Sequence, residues 1–289
     1  MTEIRELRGT DIPARLREIP KAPEKIFVKG NLPDPETYKY LTVVGSRKYS
    51  TYGRECCAKL IQSLARFPVA IVSGLALGID TIAHETALEV GLPTIAVPGS
   101  GLAEKVLYPR ANLRLAKKII EAGGALLSEF KPDTQATVYT FPQRNRIMAG
   151  LSDATLIIEA AEKSGTLITA RLALDFNREV LAVPGSIFSS GAKGTNQLIR
   201  QGATPVTKVE DLLEALGFET NKEGSVDNQF LDTLSEPEQL IYQLLQGENL
   251  SRDELAIKTI LATTELNTTL SMMEVKGLIK ETGGVFIII

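Results

Sequence analysis

From about residue 40 onward, short β-branched apolar runs alternate with longer segments whose apolar positions recur at helical spacing, and the runs end repeatedly in Gly, Ser or Pro. The runs predict strands over residues 40–45, 69–73, 93–97, 125–129, 154–158, 179–183 and 204–207. Their near-continuous hydrophobicity suits strands covered on both faces. The segments between them predict helices over 52–67, 79–90, 112–122 and 166–177. Strand and helix in alternation imply an α/β fold with a doubly wound, mostly parallel sheet, whose right-handed crossovers bring the strand-end loops to one edge.

The pattern changes after residue 217. Residues 218–234 are polar and aperiodic and read as a linker between a domain over 40–217, preceded by a lead segment over 1–39, and a small domain over 235–289. In that last part, Ser235 with Glu238 and Ser251 with Glu254 have capping-box spacing, each opening a short helix. A third helix carries Leu266, Leu270 and Met273 on one face, and the end reads as two strands around Gly283 and Gly284. Three helices and a hairpin describe a winged helix. Its third helix has Glu265 and Glu274 against Lys276, an acidic balance unsuited to a DNA groove, so a simple accessory contact with an unnamed partner is expected ahead of a dedicated protein-contact or Z-DNA-type role.

Composition narrows the function classes. With 289 residues, 44% of them hydrophobic and 23% charged, the chain has the means to bury ordinary cores, and length alone suggests about two domains. The charged N-terminal octet is no signal peptide and no apolar run reaches membrane-spanning length, so a cytoplasmic protein without membrane contact is expected. Cys56 and Cys57 are adjacent and His84 is the single histidine, a set from which neither a Cys-rich nor a multi-His metal centre can be built. The net charge of −3 conceals a division: residues 1–211 hold 27 Lys+Arg against 22 Asp+Glu, and residues 212–289 hold 5 against 13. A polyanion site therefore belongs in the first part.

Small or glycine-rich loops close most of the predicted strands: Gly45-Ser46-Arg47, Ser73-Gly74, Gly99-Ser100-Gly101, Lys163-Ser164-Gly165-Thr166, Gly185-Ser186 and the segment from Gly191 to Asn196. Each alone is ordinary α/β turn chemistry. Together, at one sheet edge, they offer backbone N–H groups to several phosphates in a row, as an extended polyanion requires. Neither a P-loop nor a G-x-G-x-x-G fingerprint is present, which argues against ATP and NAD, and no cofactor is expected. Arg47, Lys48, Arg144, Arg146, Lys163 and Lys193 supply positive charge to that edge, arginine forks being suited to phosphate. Tyr49, Tyr52, Tyr108, Tyr139 and Phe141 lie nearby in sequence, and Phe141, directly before Pro142-Gln143-Arg144, is the preferred ring for stacking a base. Asp80 and His84, four apart on one helix, could pair, but a capping aspartate and a structural histidine explain them more simply.

These segments closely resemble the DNA processing protein A family, DprA or Smf, of bacterial recombination mediators. The match is carried by VVGSRKYSTYG (43–53), IVSGLALGIDTIAHETAL (71–88), TIAVPGSGL (94–102), YPRANLRLA (108–116), the long segment 141–186 beginning FPQRNRIMAG, and GTNQLIRQGA (194–203). It runs over residues 20–211, with 235–289 similar only in winged-helix form. The resemblance implies an extended Rossmann-like fold that binds single-stranded DNA, forms homodimers and loads RecA recombinase onto incoming DNA in natural transformation, without being an enzyme. Carried over by motif, Arg47, Phe141, Arg144, Arg146 and Lys163 would face the strand, joined by the Gly165-Thr166 turn, and Ser100 and Gly101 would line a base pocket. The sterile-alpha-motif-like domain that many relatives carry is expected to be missing. The alternative is a Rossmann-like nucleotide-processing enzyme of the phosphoribohydrolase type. Its P-G-G-x-G-T-x-x-E signature, aligned on Gly165-Thr166, meets Ala161, Glu162 and Lys163, and Thr169 where the catalytic Glu belongs. A third class, a small-molecule sensor acting through the winged helix, stays open.

Overall fold

The computed structural model describes residues 3–219, 234–247, 249–282 and 284–288. The chain divides into two compact units, 1–220 and 221–289. The polar stretch expected as a linker, 218–234, falls almost wholly outside the described residues, as does Gly283 of the expected hairpin turn.

In chain order the first unit runs β1 (Ile4–Arg8), α1 (Ala14–Arg17), β2 (Lys25–Gly30), β3 (Lys39–Val44), α2 (Thr51–Ser63), β4 (Val69–Ser73), α3 (Ile79–Glu89), β5 (Thr94–Ala96), α4 (Leu113–Glu121) and β6 (Ala125–Ser128). It continues with α5 (Thr140–Leu151), β7 (Ala154–Ile157), α6 (Thr166–Asp175), β8 (Glu179–Ala182), α7 (Lys193–Arg200), β9 (Thr204–Pro205) and α8 (Val209–Ala215). One sheet holds all nine strands in the order β1-β2-β6-β5-β4-β3-β7-β8-β9. From β6 to β9 every neighbouring pair is parallel, and β1 and β2 add antiparallel strands at one edge. The fold is thus the doubly wound, mostly parallel α/β sheet that the alternation predicts.

The two faces explain why the strands read as unbroken apolar runs. In β3, Tyr40 and Val44 enter one core with Ile147 and Met148 of α5 and Ala170 and Ala173 of α6. Leu41 and Val43 enter the opposite core with Cys57 and Ile61 of α2 and Ile79 and Ala83 of α3. Period-2 alternation thus persists, but both faces are dry.

Residues 3–39 are not a detached lead. Tyr40 donates its N–H to the Asp153 carboxylate at 2.8 Å, and Arg15 pairs with the other oxygen of the same group. With β1 and β2 hydrogen-bonded into the sheet, the sheet begins at Ile4 rather than at residue 40. The strands escape sequence reading because β1 is a half-exposed edge with mixed polarity and β2 has only three consecutive apolar residues. Residues 140–151, outside the predicted helices, form α5. Pro142 fits its first turn, where an N–H has no helical partner, and Ile147–Leu151 are buried all round, so no apolar stripe marks the helix.

The second unit comprises α9 (Glu236–Gly247), β10 (Leu250–Ser251), α10 (Arg252–Thr259), α11 (Thr263–Val275), β11 (Ile279–Thr282) and β12 (Val285–Ile288), a winged helix. Ser235 N–H and Oγ–H both reach Glu238, and Ser251 and Glu254 form a reciprocal capping box, as their spacing predicts. Leu266, Leu270 and Met273 enter its core with Phe286. Among the described residues, no helix is long and apolar enough to cross a membrane.

Candidate nucleic-acid interface

The order of the sheet reverses at β3: the chain moves from β3 to β4 on one side, while β7 lies on the other. In open parallel sheets a crevice opens at that point, outside the carboxyl ends of the strands. Here it is a cleft of about 300 Å³, lined by Gly45–Arg47 after β3, Ala76 and Asp80 after β4, Phe141 and Arg144 of α5, and Ser164–Thr166 after β7.

Arg47 and Phe141 form the outer part of this cleft. The Arg47 side chain is exposed and its guanidinium lies 5.4 Å from the centre of the Phe141 ring. Phe141 in turn meets Tyr108 with ring centres 5.8 Å apart, and Tyr108 is itself exposed. A cation beside a ring, with a second ring next to the first, gives a strand both things it needs: charge for a phosphate and flat faces for bases. Gly78, at φ +91°, caps α3 in a conformation closed to other residues. A Cβ there would lie 2.6 Å from Arg47 Cα.

Arg144 occupies the interior. It is 5% exposed, and its Nη1 donates to the Val97 carbonyl. Gly74 makes the room: a Cβ on it would fall 1.8 Å from Arg144 Nη1. Burial pulls the guanidinium down to about 10, opposed by the nearby Asp80 charge, so the group stays cationic at neutral pH. Asp80, equally buried, accepts the Gly74 and Ala76 N–H groups at 3.1 and 3.3 Å. Desolvation raises its carboxyl above the usual range, against the pull of Arg144 and those two bonds. Arg144 thus braces the loops after β4 and β5 rather than reaching out to phosphate.

Asp80 and His84 do not pair. His84 Nδ1 meets Thr94 Oγ1 at 2.7 Å, and burial drives its imidazole down to about 3, so it is neutral. It is a core residue.

Of the remaining sequence-derived residues, Gly165 and Thr166 line the cleft, Thr166 Oγ1 donating to the Gly45 carbonyl at 3.1 Å and so tying two of its loops together. Lys48 and Lys163 are exposed on the loops that form it. Arg146 is occupied elsewhere, pairing with Glu129 and donating to the Lys21 carbonyl, an anchor for the N-terminal segment. Ser100 and Gly101 are buried and line no part of the cleft. Ser100 Oγ accepts the Tyr108 N–H, and a Cβ on Gly101 would lie 2.2 Å from the Lys131 carbonyl oxygen. They shape the loop that presents Tyr108. Lys193 is exposed at the start of α7, beside a different cavity that Ala192 lines. Sequence reasoning missed the charge of Asp80 buried near Arg144. A carboxylate and an arginine 64 positions apart give no sequence signal that they share a site.

Residues 4–217 match the family described as DNA recombination-mediator protein A, and residues 228–284 match the DprA winged helix domain. Protein Smf of Escherichia coli is 46% identical over 206 residues, which are 71% of this chain and 54% of that protein. DNA processing protein DprA of Streptococcus pneumoniae is 45% identical over 206 residues, 71% of each chain. The chain therefore spans about half the length of the Escherichia coli relative. Among solved structures, DNA processing protein A of Streptococcus pneumoniae aligns with a TM-score of 0.68 at 42% identity over 76% of each chain. DNA processing protein A of Helicobacter pylori, described for its single-stranded DNA binding mode, aligns at 0.66 with 29% identity, over 75% of this chain and 98% of that one.

Proposed function

The chain belongs to the DNA recombination-mediator protein A family, and on that premise we propose that it binds single-stranded DNA along the cleft at β3 and β7, shields the strand and hands it to a RecA-type recombinase. The observation that carries this reading is the exposed Arg47 guanidinium set against the Phe141 ring, which in turn meets the exposed Tyr108 ring, at the switch point of the sheet. Lys48 and Lys163 extend the charge, and the Gly45 and Gly165 turns let a backbone pass close. The reading includes a homodimer acting in the cytoplasm, as the family resemblance implies. It includes no bond cleavage: among the described residues the cleft is lined by a single carboxylate, Asp80, which is buried and holds two backbone N–H groups.

Fluorescence anisotropy of a labelled oligo-dT and of a duplex of equal length tests this. Contact of Arg47, Lys48 and Lys163 with about three phosphates gives a log–log salt slope near −2, hence a roughly 15-fold loss of single-strand affinity between 50 and 200 mM salt. Equal affinity for both forms, or no salt dependence, contradicts the reading.

A further inference from the structure

A second cavity, of about 490 Å³, opens at the carboxyl ends of β7 and β8, on the far side of the turn that carries Arg47 and Lys48. Its apolar walls include Tyr52, Ile158, Val183 and Pro184. The Tyr52 hydroxyl donates to the Pro184 carbonyl at 2.8 Å, which fixes the ring against the loop after β8. The cavity also contains Glu159, only 6% exposed.

Glu159 is a buried carboxylate. Its oxygens accept the Ser50 N–H at 2.9 Å and the Ser50 hydroxyl at 2.5 Å, and it takes part in no ion pair among the described residues. Gly53 permits the approach, since a Cβ there would fall 2.4 Å from the carboxylate. A carboxylate offers about four acceptor positions, and Ser50 takes two. Burying the rest without donors is costly, so the fitting ligand brings N–H groups, two side by side if both oxygens are to be used, on a flat body suited to Tyr52 and Pro184.

Among DNA bases that description selects guanine. Its N1–H and N2–H are adjacent donors on one edge, whereas adenine and cytosine place a ring-nitrogen acceptor beside the amino group and thymine has one N–H between two carbonyls. We propose that this cavity is a guanine subsite, in which Glu159 accepts N1–H and N2–H of a base from the strand bound at the neighbouring cleft. Phe188, 91% exposed between the cavity-lining Ser186 and Ser189, offers a stacking face at its rim. The inference rests on the single-strand reading above.

The test compares labelled oligo-dT with the same strand carrying one central dG, dI or dA, bound to the full chain. One bidentate base contact predicts about tenfold tighter binding of the dG strand. The dI strand, which keeps N1–H and lacks the N2 amino group, should fall between, and dA should match dT. Glu159→Gln should bring the dG-to-dT affinity ratio close to one, and the dI comparison stands even if that variant folds poorly. Equal binding of all four strands overturns the subsite. A second arm measures dGMP against dAMP by calorimetry: preference for dGMP without preference for dG in the strand overturns the strand subsite and reassigns the cavity to a free guanine nucleotide. If no oligonucleotide binds at all, the single-strand reading falls, and the dGMP arm still decides whether the cavity recognises guanine.

Discussion

Replacing Arg47 by Ala separates binding from folding more cleanly than any other change in the cleft. The side chain is exposed and its one ring contact is with Phe141, so its loss should cost about 0.5 kcal/mol of stability, a Tm change of 1–2 °C for a unit of this size. For the bound strand the loss is larger. A charged hydrogen bond to phosphate contributes about 1.5–3 kcal/mol, which is a roughly 10- to 150-fold weakening at moderate salt. One fewer neutralised phosphate also flattens the log–log salt slope by about 0.7, from about −2 to about −1.4. Arg47→Lys should recover the slope but only part of the affinity, because an ammonium keeps the charge and loses the fork. Anisotropy titrations at four salt concentrations, with a thermal melt of each variant, provide the readout. Affinity within twofold of the parent together with an unchanged slope would refute the assignment of Arg47 to the strand.

The other cleft arginine should behave in the opposite way. Arg144→Ala removes the main cation compensating the buried Asp80, Arg47 contributing less, and leaves the Val97 carbonyl without its Arg144 donor. A loss of about 3 kcal/mol or more follows, lowering Tm by roughly 10 °C; a melt shifted by under 2 °C would contradict the bracing role. His84, whose pKa of about 3 lies below its ordinary 6.5, is neutral in the fold, so its contribution is complete above pH 6.5 and is lost as pH falls towards 3. Between pH 7.5 and 5.5 this removes about 1.4 kcal/mol, the raised carboxyl of Asp80 acting in the opposite sense, and His84→Gln should abolish that part of the slope in pH-dependent denaturant melts. Truncation after Gly217, which removes the acidic winged helix, should leave single-strand affinity and its salt slope essentially intact. Abolished binding would place the strand on the second unit.

The central strands and their helices were legible because each is either a dry run or a striped helix, and β4, expected at 69–73, occupies Val69–Ser73. The edge was not, since β2 is held by pairing with β6, about a hundred positions away, β1 joins the sheet only through β2, and Arg15 anchors the segment to the distant Asp153. The site divides along the same line. Arg47 and Phe141, proposed from the GSR turn and the FPQRNR segment, come together at the cleft. The same segment misleads at Arg144 and Arg146: whether an arginine faces solvent or braces Val97 and Glu129 depends on which helix face α5 buries, and α5 shows no stripe to reveal it. Ser100 and Gly101 mislead for a related reason, since a small residue serves a close backbone contact as well as it serves a ligand. Glu159 passed unnoticed at the end of an apolar strand, where its chemistry depends on the distant Ser50.

Photocrosslinking tests the placement of the strand most directly. An oligo-dT with 5-iododeoxyuridine at successive positions, irradiated on the 289-residue chain and mapped by mass spectrometry, should give adducts at Phe141, whose ring lies against Arg47 at the switch point, and at its neighbour Tyr108. Adducts confined to the winged-helix unit, or to the β1–β2 edge of the sheet, would contradict the account.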